Sequence, residues 1–435
     1  MRSHAKNRFG AAAVAAALAF GPAATVVPAY AAPPKGACRN AEPAHPVQTL
    51  LPWAQQLLMP QRAWPFSTGS GVTVAVIDSG VDADHPQLRR PGKVLPGHDF
   101  YLKGKLPGNY DCISHGTGVA GIIAADGRPG VGFEGIAPGA RILPVRVSER
   151  ETDNTGNTEE INPNILAKGI KYAVDARARV INLSLAGFRD ERPVRQAIAY
   201  AVAHDVVVVA AVGNGQGSGG DGKLPSYPAS YPGVIGVGAI DNAGARLTAS
   251  QVGPYVDLVA PGGSVLAPTR VAGHAYQDGT SFAAPFVAGT AALVRAAWPK
   301  LTAAQVAQRL MATADPARGG TGSQEYGAGI VDPYRAVTEG MAVGAAKKLP
   351  AAHVPPPDEH ALALAAWWQS RGSLARSTAV LAAGAMAVVV LLACLMTAGH
   401  RRRWAVGRSA IARTAKGEPT DLPPEFLFTR PERDA

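Results

Sequence analysis

Short apolar runs alternate with helical patterns across the middle of this chain. The runs are rich in valine and isoleucine, which is typical of parallel strands that are covered on both faces. They lie at residues 72–77, 142–147, 180–185, 206–212, 234–240 and 256–260. Helical patterns lie at residues 51–58, 165–178, 193–204 and 303–314, the last with Thr302 as its N-cap. This order predicts an α/β domain with a mainly parallel central sheet.

Four polar residues stand where these elements begin or end. Asp78 follows the first predicted strand, and Asn214 follows the strand at 206–212. His115 opens a glycine-rich helix pattern, and Ser281 opens an alanine-rich one. Sites in parallel sheets lie at the carboxyl ends of strands. Each residue taken alone also fits an ordinary role, namely a turn cap, a structural histidine, a turn asparagine and a helix N-cap.

Ser281 lies just before residues 283–294, a run with helical spacing of apolar residues, so it stands at a predicted helix N-terminus. A helix N-terminus presents unpaired N–H groups and the positive end of the helix dipole, which stabilise a developing oxyanion. A serine hydroxyl is a weak nucleophile, so it needs a histidine base and a carboxylate that orients this base. The sequence supplies both residue types.

Three local motifs carry a family resemblance when they are taken in chain order. They are Asp78-Ser79-Gly80, His115-Gly116-Thr117-Gly118 and Gly279-Thr280-Ser281-x-Ala283-x-Pro285. Together with Asn214, this arrangement resembles the subtilisin-like serine proteases. The resemblance covers about residues 71–337 and implies a three-layer subtilisin-like fold for a protease domain at 71–340.

The resemblance also implies a role for each matched residue. Ser281 would be the nucleophile, His115 the general base and then the general acid, and Asp78 the residue that orients His115. Asn214 would form the oxyanion hole with the backbone N–H of Ser281. The substrate-binding positions would be Ser184, Leu185, Ala186 and Gly187, which bind the substrate backbone, and Ala211, Val212 and Gly213, which form a pocket wall.

No metal or cofactor is expected. Subtilisins often carry an acidic calcium ligand nine positions after the triad aspartate, and this chain has Gln87 there. Calcium dependence is therefore not predicted. The expected partners are protein or peptide substrates. The formal net charge of +10 comes partly from Arg2, Lys6, Arg8 and the tail. The net charge on the rest of the chain is too small to indicate nucleic-acid binding.

The N-terminal segment predicts export. Residues 1–31 combine a basic start, an apolar run and small residues before a cleavage point, which is typical of a signal peptide. Residues 32–70 would be an N-terminal extension, which is short for a separately folding pro-domain. An exported chain meets an oxidising compartment. Cys394 lies in a C-terminal apolar run, so Cys38 and Cys112 are the expected disulfide partners.

The C-terminal segment predicts membrane attachment. Residues 341–377 read as a linker, and residues 378–398 carry no charge over a length that spans a bilayer. Arginines 401–403 place the 399–435 tail in the cytoplasm by the positive-inside rule. The protease domain would then face outward from the cell membrane.

This organisation resembles the mycosins, which are membrane-anchored subtilases of type VII secretion systems. The resemblance implies association with a type VII secretion membrane complex. Two functions therefore stay open, an active endopeptidase and a structural component that braces a secretion complex. The natural substrate is not predicted by either.

Overall fold

The structure is a computed structural model that describes residues 33, 36–38, 41–102, 106–149, 161–216, 224–318, 320, 322–340, 381–388, 390–397 and 400. The chain divides into two compact units, Met1–Ala346 and Lys347–Ala435. The predicted signal peptide at 1–31, the linker at 341–377 and nearly all of the tail at 399–435 lie outside the described residues.

The first unit is built on a seven-stranded parallel sheet of order β2-β3-β1-β4-β5-β6-β7. The strands are β1 Thr73–Asp78, β2 His98–Asp99, β3 Arg141–Arg146, β4 Val180–Leu183, β5 Val207–Ala211, β6 Val234–Ile240 and β7 Leu258–Pro261. The predicted α/β class and the parallel sheet are confirmed, and the bounds of the six predicted strands differ from the observed ones by at most two residues, whereas β2 was not predicted.

Helices cover both faces of the sheet. They are α1 Trp53–Leu58, α2 His115–Ala124, α3 Pro163–Asp175, α4 Arg192–Ala203, α5 Thr280–Ala297, α6 Ala303–Ala312 and α7 Pro333–Thr338. Successive residues of β1 point to opposite faces, because side chains alternate along a strand. Val74 and Val76 join the apolar cluster with α2 and α5, whereas Ala75 and Ile77 join the cluster with α3 and α4. The result is the expected three-layer architecture.

Helix α5 is the central helix of one layer, and all but its last two residues are buried. Small residues allow this close packing. A Cβ on Gly289 would lie 2.8 Å from the Ile136 side chain, so the helix could not approach there with a larger residue. The N-cap of α6 is Thr302, whose side chain and Gln305 form a capping box, as the sequence predicts.

The sequence interpretation missed a two-stranded antiparallel hairpin, β8 Val265–Pro268 and β9 His274–Gln277. The N-terminal extension packs on it. The His45 N–H donates to the Ala272 carbonyl, and the His274 N–H donates to the Pro46 carbonyl. Cys38 and Cys112 form a disulfide with Cα atoms 5.4 Å apart. A disulfide and backbone hydrogen bonds therefore attach the extension to the rest of the first unit.

Two apolar helices bear on the membrane prediction. Helix α5 has the length and composition of a membrane span, but 89% of it is buried inside the first unit, which identifies it as a core helix. The second unit contains the apolar helix α8, Leu381–Thr397, which lies within the predicted span at 378–398 and is shorter than 18 residues. Its described side chains are exposed within that unit.

Candidate active site

The carboxyl end of β1 and the start of α2 bring Asp78 and His115 together. Nδ1 of His115 lies 2.6 Å from Oδ1 of Asp78. The same oxygen accepts the backbone N–H of Ser79 at 2.8 Å. Asp78 is 4% exposed, so little water competes with these bonds. A carboxylate in this position fixes the histidine with its proton on Nδ1 and leaves Nε2 as the base.

Ser281 lies in the first turn of α5 and is directly followed by Phe282. The ring of Phe282 packs on that of His115 with centroids 5.1 Å apart, so the start of α5 adjoins the histidine. The Ser281 hydroxyl donates to the Ser184 carbonyl at 3.0 Å. In return, the Ser184 hydroxyl donates to the Ser281 carbonyl at 2.6 Å. In this conformation the Ser281 hydroxyl is therefore held by the residue that follows β4 rather than by His115.

Asn214 follows β5 and is oriented by Thr280, a residue that the sequence interpretation gave no role. Its Oδ1 accepts the backbone N–H of Thr280 at 3.0 Å and the Thr280 hydroxyl at 3.1 Å. Because the oxygen is occupied, the Nδ2 amide points away from Thr280. Gly279 makes room for it, since a Cβ there would lie 2.9 Å from Nδ2 and φ is +124°. The signal for this arrangement was the Gly-Thr pair before Ser281.

A cleft of about 600 Å³ opens beside Ser281. Of the predicted substrate-binding residues, Leu185, Ala186, Gly187, Ala211 and Gly213 line it. The structure does not place Ser184 or Val212 in the lining. Both are buried, Ser184 beneath Ser281 and Val212 with its carbonyl accepting the Ser226 hydroxyl. Sequence reasoning missed the other lining residues, which include Ile161, Leu166, Phe188, Glu191, Tyr227 and Tyr231.

Both polar atoms of the Gln87 side chain have hydrogen-bond partners. Its Nε2 donates to the carbonyls of Asp126 at 2.9 Å and Phe133 at 2.7 Å, and its Oε1 lies 2.7 Å from Nε2 of His274. Across the described part of the chain, no group of three or more His, Cys, Asp or Glu side chains could hold a metal ion. The Gln87 side chain thus connects the segment that follows α2 to strand β9.

The comparisons with known proteins agree on one family of proteases. Residues 69–329 match the subtilase family, Peptidase S8. A thermophilic serine proteinase from Bacillus sp. (strain AK1) is 40% identical over 278 residues, 63% of this chain and 64% of the relative. Mycosin-1 from Mycolicibacterium smegmatis is 35% identical over 359 residues, 71% of this chain and 78% of the relative.

Among solved structures, the fold is similar to that of the serine protease MycP1, described as an essential component of the type VII (ESX-1) secretion system. The TM-score is 0.59 at 34% identity, and the alignment covers 69% of this chain and 92% of MycP1. By contrast, the chain spans less than two thirds of the length of the Bacillus proteinase.

Proposed function

The chain belongs to the subtilase family and is related to its mycosins, and on that premise we propose that it is a serine endopeptidase with an Asp78–His115–Ser281 triad. The observation that carries the proposal is the 2.6 Å contact between Asp78 and His115, with Ser281 at the start of the helix that packs on His115. A buried carboxylate on Nδ1 is the arrangement that makes Nε2 a general base.

Catalysis would begin with a movement of the Ser281 hydroxyl. The hydroxyl leaves the Ser184 carbonyl by rotation about the Cα–Cβ bond and donates to Nε2 of His115. His115 takes the proton as Oγ attacks the scissile carbonyl, and Asp78 stabilises the resulting imidazolium. His115 then protonates the leaving amine, and water completes the cycle on the acyl-enzyme.

The developing oxyanion would be bound by two donors. One is Nδ2 of Asn214, because Oδ1 is already held by Thr280. The other is the backbone N–H of Ser281, which lies in the first turn of α5, where helical N–H groups lack an intrahelical partner. Donors that are fixed before the reaction stabilise the transition state without reorganisation.

The substrate backbone would pair with the exposed segment at Ala186. Both backbone groups of the next residue, Gly187, are taken by Tyr227, at 2.8 and 2.9 Å. Ala186 is exposed, and no backbone group in the described part of the chain bonds its N–H or C=O, so both can receive an added strand, which is a common mode of peptide recognition. The apolar lining beyond it, including Ala211 and Tyr227, favours apolar side chains before the scissile bond.

The direct test is labelling of the full chain by a fluorophosphonate, which reacts with activated serines. We expect Ser281→Ala to abolish both labelling and peptide hydrolysis with little change in unfolding temperature. Ser70→Ala, which removes an exposed hydroxyl, is the matched control and should be labelled like the wild type. Undiminished labelling of Ser281→Ala would exclude Ser281 as the nucleophile.

We further propose that the protease is anchored in the cell membrane and associated with type VII secretion. Helix α8 is apolar and lies before arginines 401–403, which supports a span with the tail inside. The similarity to MycP1 and to Mycosin-1 supports the secretion role.

The alternative is a structural component that braces the complex, with proteolysis secondary. Comparing secreted proteins between wild-type cells and cells with Ser281→Ala separates the two, because only proteolysis depends on the hydroxyl.

A further inference from the structure

Asp111 is a buried carboxylate between β1 and α2 to which the proposed mechanism assigns no role. It is 2% exposed and lies four residues before His115. Four donors converge on it. Oδ1 accepts the Ser79 hydroxyl at 3.0 Å and the Ile113 N–H at 3.1 Å. Oδ2 accepts the Thr117 N–H at 2.9 Å and the Thr117 hydroxyl at 2.7 Å.

The direction of both hydroxyl bonds is fixed by their other partners. The Ser79 oxygen accepts the Gly116 N–H at 3.0 Å, so its own proton is available for Asp111. The Thr117 oxygen accepts the Asp82 N–H at 3.0 Å, so its proton is likewise available. Asp111 therefore faces donors on both oxygens. Four donors fill the acceptor positions of the two oxygens, which suits an ionised carboxylate, because a protonated acid would turn its own O–H toward one of these donors.

These bonds close a ring around the Asp78–His115 pair. Ser79 donates its N–H to Asp78, at the oxygen that also binds His115, and donates its hydroxyl to Asp111. Asp111 in turn accepts from Thr117, which belongs to the same helical turn as His115. The ends of β1 and α2 are thus joined at three points, the Asp78–His115 contact, the Ser79–Gly116 bond and the Asp111 carboxylate.

We infer that ionised Asp111 is a positioning residue for the proposed triad. It holds the end of β1 against the first turn of α2, so that Asp78 and His115 keep their contact through the reaction. Its negative charge also favours the imidazolium that His115 becomes. The inference rests on the proposed function, because it concerns the same histidine.

The electrostatic surroundings include groups from every element packed on Asp111. Asp78 on β1 repels it, and burial raises the pKa of Asp111 while the bonds from Thr117 and Ile113 oppose that rise. Arg146 on β3 binds Asp99 and Glu149 and donates to the Ser79 carbonyl. Arg270, between β8 and β9, donates to the backbone carbonyl of Asp111 at 3.0 Å. Asp82, whose N–H donates to the Thr117 hydroxyl, and His115, in the same turn of α2, are further titratable neighbours.

Asparagine cannot replace this carboxylate. The backbone N–H groups of Ile113 and Thr117 bind different oxygens, so either orientation of an Asn amide turns its NH₂ toward one of them. The substitution also removes a negative charge beside the Asp78–His115 pair, so protonated His115 is less stabilised. The acid limb of any activity that needs neutral His115 then moves to lower pH.

The experiment measures the rate of fluorophosphonate labelling of the purified full chain against pH. For Asp111→Asn we expect a plateau rate about tenfold or more below wild type and an acid limb that lies at lower pH. Asp257→Asn is the control, because Asp257 is also a carboxylate with a raised pKa that accepts a backbone N–H, from Gly236 at 2.8 Å. It should keep the wild-type profile.

A second variant covers the case in which Asp111→Asn does not fold. Ser79→Ala removes the hydroxyl that links Asp111 to β1 and that also accepts the Gly116 N–H, but it keeps the charge, so we expect a lower rate with an unshifted acid limb. A wild-type rate in Ser79→Ala, or a lower rate without a shift in Asp111→Asn, overturns the inference. Ser281→Ala is measured alongside, and its continued labelling would instead overturn the proposed triad.

Discussion

Asn214 owes its orientation to a single neighbour. Both bonds to its Oδ1 come from Thr280, whose hydroxyl in turn accepts the Gly213 N–H at 3.1 Å. The amide is thereby fixed between the end of β5 and the start of α5. A turn asparagine in a solvent-facing loop would have no such partners. The arrangement supports a role in which Nδ2 is presented to a ligand.

We predict that Asn214→Ala lowers kcat by about 100- to 1000-fold with little change in KM. The physical reason is that an oxyanion donor acts on charge that develops only in the transition state. Steady-state kinetics on one peptide substrate check it. As a control, Asn162→Ala removes only the cap of α3. A variant that raised KM and kept kcat would contradict the oxyanion assignment.

His274 and His85 give the protein a pH-dependent stability. Nδ1 of His274 accepts the Gln48 N–H at 3.3 Å, and Nδ1 of His85 accepts the Gln87 N–H at 3.2 Å, so both rings are neutral. Burial lowers the pKa of each to about 4. Below pH 6.5 the unfolded chain binds protons that the folded chain does not. Stability is therefore full above about pH 6.5 and is lost as the pH falls toward 4.

The predicted loss is at most about 3 kcal/mol for each histidine between pH 6.5 and 4. Urea unfolding of the full chain at several pH values measures it. His274→Gln should be less stable at pH 7.5 but should show a flatter dependence on pH. His204→Gln, which changes an exposed histidine after α4, should keep the wild-type slope. Equal slopes in all three proteins would refute the assignment.

At the scale of residues, local motifs in the sequence led to the prediction of three of the residues in the proposed site. Asp78, His115 and Ser281 each sit in a short pattern of small residues at the end of an element. Asp111 could not be found in this way, because its partners Ser79 and Thr117 come from two separate segments. The bond between the Ser281 hydroxyl and Ser184 depends on a side-chain torsion, which no sequence pattern specifies.

At the scale of elements, long buried runs were predicted well, whereas the two short strands of a hairpin were missed. Strand β6 has the predicted bounds, since all seven of its residues are buried. Hairpin β8–β9 was missed because each strand has four residues and β9 is only partly buried. Its pairing is set by long-range contacts with the N-terminal extension, including the bond from His274 to the Pro46 carbonyl.

The disulfide gives an element-scale prediction. The Cys38–Cys112 bond spans 74 positions, and the chain-entropy model assigns about 4–5 kcal/mol to a loop of this length as an upper figure. We expect Cys38→Ser to lower the free energy of unfolding by up to that amount, with the extension more open to proteolysis. Urea unfolding and limited proteolysis of the full chain measure both effects.

The control for this variant is Cys394→Ser, which alters the free cysteine of α8 and leaves the bridge intact. Its unfolding should match that of the wild type in unreduced buffer. Two reactive thiols at Cys38 and Cys112 in unreduced wild-type protein would contradict the pairing in solution. A mature N-terminus near Gly71 would show that the extension is removed despite its bonds.

At the scale of the whole molecule, the two units have different proposed roles. The first contains the proposed triad, and the second contains α8, whose apolar side chains are exposed within that unit. A membrane tether would confine the protease to substrates that emerge nearby and so raise their effective concentration. It would also let the chain stabilise a larger assembly without any chemistry.

We predict that the two roles separate genetically. A chain truncated before Gly372 loses α8 and should fail to support secretion, whereas Ser281→Ala should leave secretion intact with its substrates uncut. Secretion assays and mass spectrometry of the exported proteins distinguish these outcomes. Secretion that survives truncation, or fails equally in both strains, would refute the separation of the two roles. In intact cells, protease should digest the first unit and spare an epitope on the tail, because arginines 401–403 hold the end of α8 inside. An epitope digested from outside would reverse the proposed topology.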